Sequence, residues 1–203
     1  MSERSLFKIF SFYNAEVAAE IPDYQQRVFA KFGVSINQVY HPAMTHAQFL
    51  HQYCKQVTDT DYLIFFDIDC VPTRRMWLNK LITDLLEPRT LVGCAQSGQN
   101  GCSLYVSPFC FAISTAYLRE LNYPDAGQHL TDSVRQSGGH VSFWWPTHVE
   151  DPRWKLKHPI HKSFGPGTTY DDMVYHAFEW SDGSGFVNKC KEILAQEEGP
   201  GND

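Results

Sequence analysis

The sequence predicts an α/β fold, a three-layer α/β/α sandwich with a mainly parallel central sheet. The first ninety residues alternate in the order β-α-β-α-β-α-β, which favours a parallel sheet with helices on both faces. Residues 62–66 form an unbroken apolar run bounded by charges, typical of a strand that is buried on both faces. The length of 203 residues suits one domain, expected over residues 1–198 with a frayed tail at 199–203.

The first half of the chain supplies three β-α units. Strand patterns cover residues 5–14, 34–42 and the run that ends in Asp67, and a further strand is expected at 90–96. Helical patterns cover 15–33, with Pro22 in a first turn or at a break, and 75–86, which stops before Pro88. The helix after Thr45 starts with a capping box, because Gln48 stands three residues after that threonine.

The second half is less regular. The apolar segment 104–114 reads as a strand, residues 115–122 as a short helix, and residues 140–148 as another strand. Asp125 is expected to cap a helix that ends at Gly138 and Gly139. Residues 161–172 form a Gly/Pro-rich loop that we expect to order over a bound ligand. A short alternating strand at 173–180 and an amphipathic helix at 185–198 follow.

Composition excludes several classes of protein. A net charge of −6 with no strongly basic run argues against a nucleic-acid-binding protein. No apolar run is long enough to span a bilayer, and the N-terminus has no hydrophobic signal core, so we expect a cytoplasmic protein. The six cysteines contain no C-x-x-C pair and are expected to be reduced structural thiols, with a zinc site of Cys94, Cys102 and Cys110 as the alternative.

The segment DYLIFFDIDCVPT, residues 61–73, carries the most chemical information. Asp67 and Asp69 follow the apolar strand directly, at the edge of the sheet where ligands bind in parallel α/β folds. Two close carboxylates repel each other, and desolvation opposes their charge. A divalent cation would offset both effects, so we interpret the pair as a metal site, and the alternative is a solvated strand end.

This arrangement resembles the glycosyltransferases of the A-type fold, which are single-domain nucleotide-sugar enzymes. The resemblance starts with the D-x-D motif of Asp67, Ile68 and Asp69 and extends back over MTHAQFLHQYCKQVTDT. It extends forward over SPFCFAISTAYLREL and YPDAGQHLTDSVRQSGGHVSFW and ends with GTTYDDMVYHAF, where a late histidine is expected. Most of the chain is covered in order.

The resemblance implies a metal-dependent transfer from a nucleotide-diphosphate sugar, UDP-linked by analogy, to a glycan or small-molecule acceptor. The cofactor would be Mn2+ or Mg2+, and an imidazole ligand favours Mn2+. Asp69 would ligate the metal, Asp67 would hold the ribose or a metal-bound water, and His176 corresponds to the late histidine, whose alternative role is packing on its strand. The nucleotide would lie on the D-x-D residues and on Phe12, Tyr13 and Asn14 at the end of the first strand, with His41 after the second strand.

The catalytic base is less defined. Inverting members of the family carry a Glu-Asp pair before an Arg-rich helix, and PDAGQHL stands near that place with Asp125 as its only early carboxylate. We take Asp125 as the candidate base and Asp132 as the second candidate. Two other functions stay open. One is a haloacid-dehalogenase-type phosphatase, although its D-x-D normally lies on the first strand and continues with Gly-Thr. The other is a sugar-nucleotide or glycan-binding module without activity.

Overall fold

The computed structural model describes residues 5–42, 46–98, 103–160, 162–178 and 183–196. The elements in chain order are β1 (Ser5–Tyr13), α1 (Glu20–Lys31), β2 (Asn37–Tyr40), α2 (His46–Cys54), β3 (Thr60–Asp67), β4 (Cys70–Pro72), α3 (Trp77–Asp84), β5 (Thr90–Ser97), β6 (Leu104–Ser114), α4 (Thr115–Glu120), α5 (Gln128–Gln136), β7 (His140–Trp144), β8 (Pro146–Val149), β9 (Trp154–Lys155), β10 (Ser163–Phe164), β11 (Thr168–Tyr170), β12 (Val174–His176) and α6 (Ser184–Ala195).

The central sheet has six strands in the order β2-β1-β3-β6-β5-β7. Strand β1 is parallel to β2 and β3, and β5 is parallel to β7, whereas β6 runs antiparallel between β3 and β5. The mainly parallel sheet predicted from the sequence is therefore confirmed. Strand β6 differs because a short connection joins it to β5, and a connection of that length allows only an antiparallel return.

Helices cover both faces of this sheet. Successive side chains of β3 point to opposite faces, and each set packs against different helices. On one side Phe66 packs edge-on against Phe29 of α1 and Trp77 of α3, with ring centroids 5.0 and 5.4 Å away. On the other side Phe65 contacts Phe49 of α2, at 6.4 Å between centroids. Buried residues of α6 join the first side, and those of α4 and α5 join the second. The result is the three-layer arrangement.

A second, antiparallel sheet in the order β4-β12-β11-β8 adjoins the first. The chain turns at Ile68 and Asp69 and then continues as β4. Pro72 is tolerated there because β4 is an edge strand of this sheet, where a missing N–H disrupts no ladder on the outer side. The segment 161–172, expected as one loop, instead contributes the two short strands β10 and β11.

Two helix starts differ from the sequence-based expectation. Helix α1 begins at Glu20 rather than at residue 15, which places Pro22 in its first turn, where the missing N–H costs no helical hydrogen bond. Helix α5 begins after Gly127, whose φ is 77°, and no side chain caps it. The capping role given to Asp125 is therefore wrong, because its Oδ1 accepts a hydrogen bond from the amide of Ala126 instead, at 2.9 Å.

No helix among the described residues is long and apolar enough to cross a membrane. The capping box at Thr45 lies outside the described residues, as does the tail at 199–203.

Candidate active site

The turn between β3 and β4 places two carboxylates at the carboxyl edge of the parallel strands. Asp67 pairs in register with Phe12 of β1, and Ile68 is buried in the core between the two acids. Asp69 is 3% exposed. The edge is the one at which ligands bind in folds of this type.

The second sheet brings His176 to these carboxylates. Strand β12 pairs with β4 so that His176 lies opposite Cys70, the residue after Asp69. The imidazole Nε2 is 3.0 Å from Asp69 Oδ1 and 3.9 Å from Asp67 Oδ2. One ligand atom from each residue lies within 4.8 Å of the others. The structure thus brings together the three residues that the sequence analysis assigned to the metal.

The donor set fits a divalent cation. Asp69 Oδ2 and His176 Nδ1 are buried without a hydrogen-bond partner among the described residues, and His176 is only 4% exposed. A buried carboxylate oxygen without a partner carries an uncompensated desolvation cost that a cation would remove. Carboxylate oxygens suit Mg2+ and Mn2+, and one imidazole nitrogen shifts the preference towards Mn2+.

Aromatic rings hold the imidazole in place. Phe109 of β6 stacks on His176 with centroids 4.0 Å apart and planes inclined by 20°. Phe178 lies on it at 3.9 Å and 56°. Because both rings restrict the imidazole, Nε2 stays directed at the carboxylates.

Gln25 is a positioning residue that the sequence analysis missed. Its Nε2 donates to the carbonyl oxygens of Asp67 and Cys70, at 2.6 and 3.0 Å, and so ties the whole turn to α1. Its Oε1 accepts from Gln38 Nε2 at 3.0 Å, so the amide orientation is fixed. A polar residue on the buried face of an amphipathic helix was the only sequence signal, and it did not reveal the partner.

A pocket of about 140 Å³ opens beside the carboxylates. Its lining comprises Phe12, Tyr13, Asn14, Val17, Asp67, Ile68 and Asp69, six of which the sequence analysis assigned to the nucleotide. Phe12 is mostly buried, and its ring stacks on Phe49 at 4.9 Å. Tyr13, half-buried, tilts against Tyr40 at 5.4 Å. Of the two rings, Tyr13 is therefore the one available to a ligand.

His41 lies next to this pocket but not in its lining. It is exposed, and its amide donates to the carbonyl oxygen of Tyr13 at 3.0 Å. It therefore extends the edge formed by the ends of β1 and β2.

Asp125 and Asp132 do not belong to the metal-binding group. The loop with Asp125 precedes Gly127, which packs near Pro108, the neighbour of Phe109. Asp132 lies on the exposed side of α5 and pairs with Arg135 at 3.5 Å. The only metal-ligand grouping among the described residues contains neither of them.

A Glu-Asp pair does exist, at Glu150 and Asp151, directly after β8. The family resemblance places such a pair near Asp125, and this pair was not identified from the sequence. The Glu150 amide donates to the carbonyl oxygen of Gly167, whose own amide donates to Ala177, the residue after His176, each bond being 3.1 Å long. The pair is therefore tied by backbone hydrogen bonds to the strand that carries the histidine.

The glycines of the 165–167 segment have a packing role. A β-carbon at Gly165 would collide with the backbone of Asp151, and one at Gly167 would collide with Glu150. Gly167 also has a φ of 70°. These residues are glycine because two chain segments approach closely. The expected ordering of this segment over a bound ligand stays a prediction.

The cysteines contain no second metal site among the described residues. Cys54, Cys70, Cys94, Cys110 and Cys190 are free and buried, as expected, and Cys102 lies outside the described residues. Burial raises the pKa of the Cys70 and Cys94 thiols, which keeps them protonated. Of the proposed zinc ligands, Cys94 and Cys110 belong to no metal-ligand grouping in the part of the chain that the structure describes.

No protein-family model matches this chain, and no curated protein does. Several solved structures do match. A mannosyltransferase from Pyrobaculum calidifontis, in complex with GDP-Man and Mn2+, matches with a TM-score of 0.50 at 12% identity. The match covers 70% of this chain and 55% of the mannosyltransferase chain. The bifunctional IspDF from Campylobacter jejuni has a TM-score of 0.47 at 11% identity, covering 68% of this chain and 49% of its own. A Drosophila galactosyltransferase in complex with manganese, UDP-Gal and xylobiose has a TM-score of 0.48 at 10% identity. The match covers 84% of this chain and 70% of the galactosyltransferase chain.

This chain spans about half the length of the first two of these structures. The likeness to the mannosyltransferase establishes the fold, which is of the nucleotide-diphospho-sugar transferase type.

Proposed function

We propose that the protein is a metal-dependent glycosyltransferase that moves a sugar from a nucleotide-diphosphate donor, UDP-linked, to an acceptor. One observation carries the proposal. A buried carboxylate oxygen without a partner, Asp69 Oδ2, lies beside a pocket at the carboxyl edge of a sheet of this fold. The mannosyltransferase that shares the fold holds GDP-Man and Mn2+, which supports a nucleotide-diphosphate sugar as donor and a divalent metal as cofactor.

In this proposal the nucleotide occupies the pocket of about 140 Å³. The base lies on Tyr13, the ribose lies near Asn14 and Asp67, and His41 borders the far side. Asp69, His176 and Asp67 hold Mn2+ or Mg2+ beside the diphosphate. When bound, the metal neutralises the negative charge that develops on the leaving diphosphate. Phe109 and Phe178 exclude water from the imidazole side of the site.

The catalytic base comes from one of three carboxylates. Asp125 and Asp132 follow from the sequence resemblance, and Glu150 follows from its connection to the His176 strand. Loss of a general base lowers the rate by roughly 10²–10⁴-fold. Asp125→Asn, Asp132→Asn and Glu150→Gln therefore form one experiment, and the variant that loses transfer while keeping donor binding identifies the base.

The test of the function is turnover of UDP- and GDP-sugars with and without Mn2+, measured as release of the nucleoside diphosphate. We expect metal-dependent donor hydrolysis that Asp69→Ala abolishes. His176→Ala should lower transfer more than it lowers binding of free UDP, because the histidine completes the ligand set but does not touch the nucleotide. Asp23→Ala is the matched control, since Asp23 is an exposed carboxylate of α1 that pairs with Arg27.

The alternatives give different results in the same assay. Hydrolysis of phosphate monoesters without any turnover of nucleotide sugars would indicate the phosphatase. Metal-dependent binding of UDP without turnover would indicate a binding module. Each of these outcomes would overturn the proposed transferase.

A further inference from the structure

The hairpin formed by β9 and β10 concentrates positive charge in an acidic protein. Residues 153–170 contain Arg153, Lys155, Lys157 and Lys162 and no aspartate or glutamate, although the whole chain has a net charge of −6. A basic segment without acids in an acidic chain indicates an anionic ligand.

The hairpin lysines differ in their partners from Lys8, Lys80 and Lys189, each of which pairs with a carboxylate. Lys8 and Lys80 each lie within 2.8 Å of a carboxylate oxygen. Lys155, Lys157 and Lys162 are exposed and form no ion pair with any carboxylate among the described residues. Their charge is therefore available to a ligand.

These lysines line a pocket of about 710 Å³. His158 and Ser163 add polar groups to its wall, and the buried side chain of Leu156 adds an apolar surface. The ring of Trp145 supports His158, with 3.9 Å between centroids. Ammonium groups around a partly apolar wall fit an anionic group attached to a less polar body.

The hairpin is fixed beside the proposed donor site. Ser97, at the carboxyl end of β5, donates to the carbonyl oxygen of Lys155. On the opposite face of the hairpin, Trp154 contacts Phe178 at 5.3 Å between centroids, and Phe178 contacts His176 at 3.9 Å. Trp154 and Lys155 are consecutive residues of β9, so the same two-stranded ribbon contacts the ring beside the metal ligand and contributes to the lysine-lined pocket.

We propose that this pocket binds the anionic group of the acceptor, a phosphate or a carboxylate, and so restricts the acceptors to acidic sugars and sugar phosphates. This inference rests on the proposed transferase function. The donor does not need these lysines, because the divalent cation that Asp69 and His176 would hold would offset the charge of its diphosphate. Binding energy from a remote charged group would position the acceptor hydroxyl at the donor.

The first experiment measures binding without nucleotide, by calorimetry with glucose 1-phosphate, glucuronate and neutral glucose. We expect the two anions to bind, more weakly as salt rises, and glucose not to bind. The combined variant Lys155→Ser, Lys157→Ser and Lys162→Ser should weaken anion binding by roughly ten- to a hundred-fold, as expected for three partly exposed ion pairs. The three corresponding Lys→Arg changes should restore it.

A control removes the same charge elsewhere. Lys55→Ser, Lys189→Ser and Lys191→Ser together should leave anion binding unchanged, since Lys55 directly follows α2 and the other two residues lie on α6. If both triple variants weaken binding equally, the effect is one of net charge and the proposal is wrong. The proposal is also wrong if neither anion binds, or if the protein binds vesicles with phosphatidylglycerol but neither sugar anion, because the hairpin would then dock on a lipid surface.

Donor hydrolysis with Mn2+ separates this inference from the proposed function. The triple serine variant should hydrolyse the donor like the wild type and should raise the acceptor KM without a matching fall in kcat. Donor hydrolysis without anion binding overturns the inference alone. Anion binding without any donor turnover overturns the transferase, and the acceptor role falls with it.

Discussion

Asp69→Asn tests the metal site with the smallest change in shape. The asparagine Oδ1 can still accept the hydrogen bond that joins Asp69 Oδ1 to His176 Nε2 at 3.0 Å. The amide group replaces Oδ2, which has no partner among the described residues. An unsatisfied buried amide and relief of a buried charge have opposite effects, so the metal-free variant should unfold within about 1 kcal/mol of the wild type.

The metal response should change much more. A ligand that binds only the native state adds about 2.7 kcal/mol of stability at a hundred times its Kd. For a chain of this size, 1 kcal/mol corresponds to roughly 2–4 °C in Tm, so saturating Mn2+ should raise the wild-type Tm by roughly 5–11 °C. We expect no such shift for Asp69→Asn, measured by differential scanning calorimetry with and without Mn2+.

The control is Asp23→Asn, which removes an exposed carboxylate of α1 and should keep the full Mn2+ shift. The reasoning would be refuted if Asp69→Asn kept the same shift as the wild type, because the ion would then bind elsewhere. A variant that unfolds in the absence of metal would contradict the claim that the asparagine preserves the local hydrogen bond.

Three further predictions concern residues around the site and the sheet. Gln25→Met should remove the two hydrogen bonds from Gln25 to the turn between β3 and β4. We expect it to lower the free energy of unfolding in urea by about 2–3 kcal/mol and to weaken Mn2+ binding. An unchanged Mn2+ affinity would show that the turn does not depend on α1. Tyr13→Ala should weaken UDP binding by roughly 1–3 kcal/mol in calorimetry, as for a base stacked on an aromatic ring, and an unaltered Kd would place the base elsewhere. The ammonium of Lys8 donates to the Asp59 carboxylate at 2.6 Å and lowers the pKa of Asp59. This pair therefore stabilises the fold at pH values above the unfolded-state pKa of Asp59. The stabilisation is lost as the pH falls through the folded-state pKa. Asp59→Asn should therefore destabilise at neutral pH but not in acid, and an equal loss at both pH values would exclude the ion pair as the cause.

Local patterns in the sequence predicted the elements that depend on neighbouring residues. The run at 62–66 is a strand buried on both faces because its side chains alone determine that burial. The sequence also identified Asp67 and Asp69 as unusual, since charges at the end of such a strand are visible without a structure.

Non-local pairing could not be predicted in the same way. The register of β4 against β12 determines that His176 meets Asp69, and no local propensity encodes the pairing of residues so far apart. The bond from Gln25 to the turn and the backbone link from Glu150 to the His176 strand depend on the same kind of long-range packing. The sequence suggested the late histidine only through a family resemblance.

The separation of 107 positions in sequence between Asp69 and His176 affects how the nascent chain behaves. At translation rates of about 5–20 residues per second, roughly 5–20 s pass between synthesis of the two residues. During that time β4 has no partner, because β12 is the strand that pairs with it. An unpaired strand edge is a template for pairing with another chain. Nascent chains stalled before residue 174 should therefore need chaperone protection, and they should not respond to Mn2+.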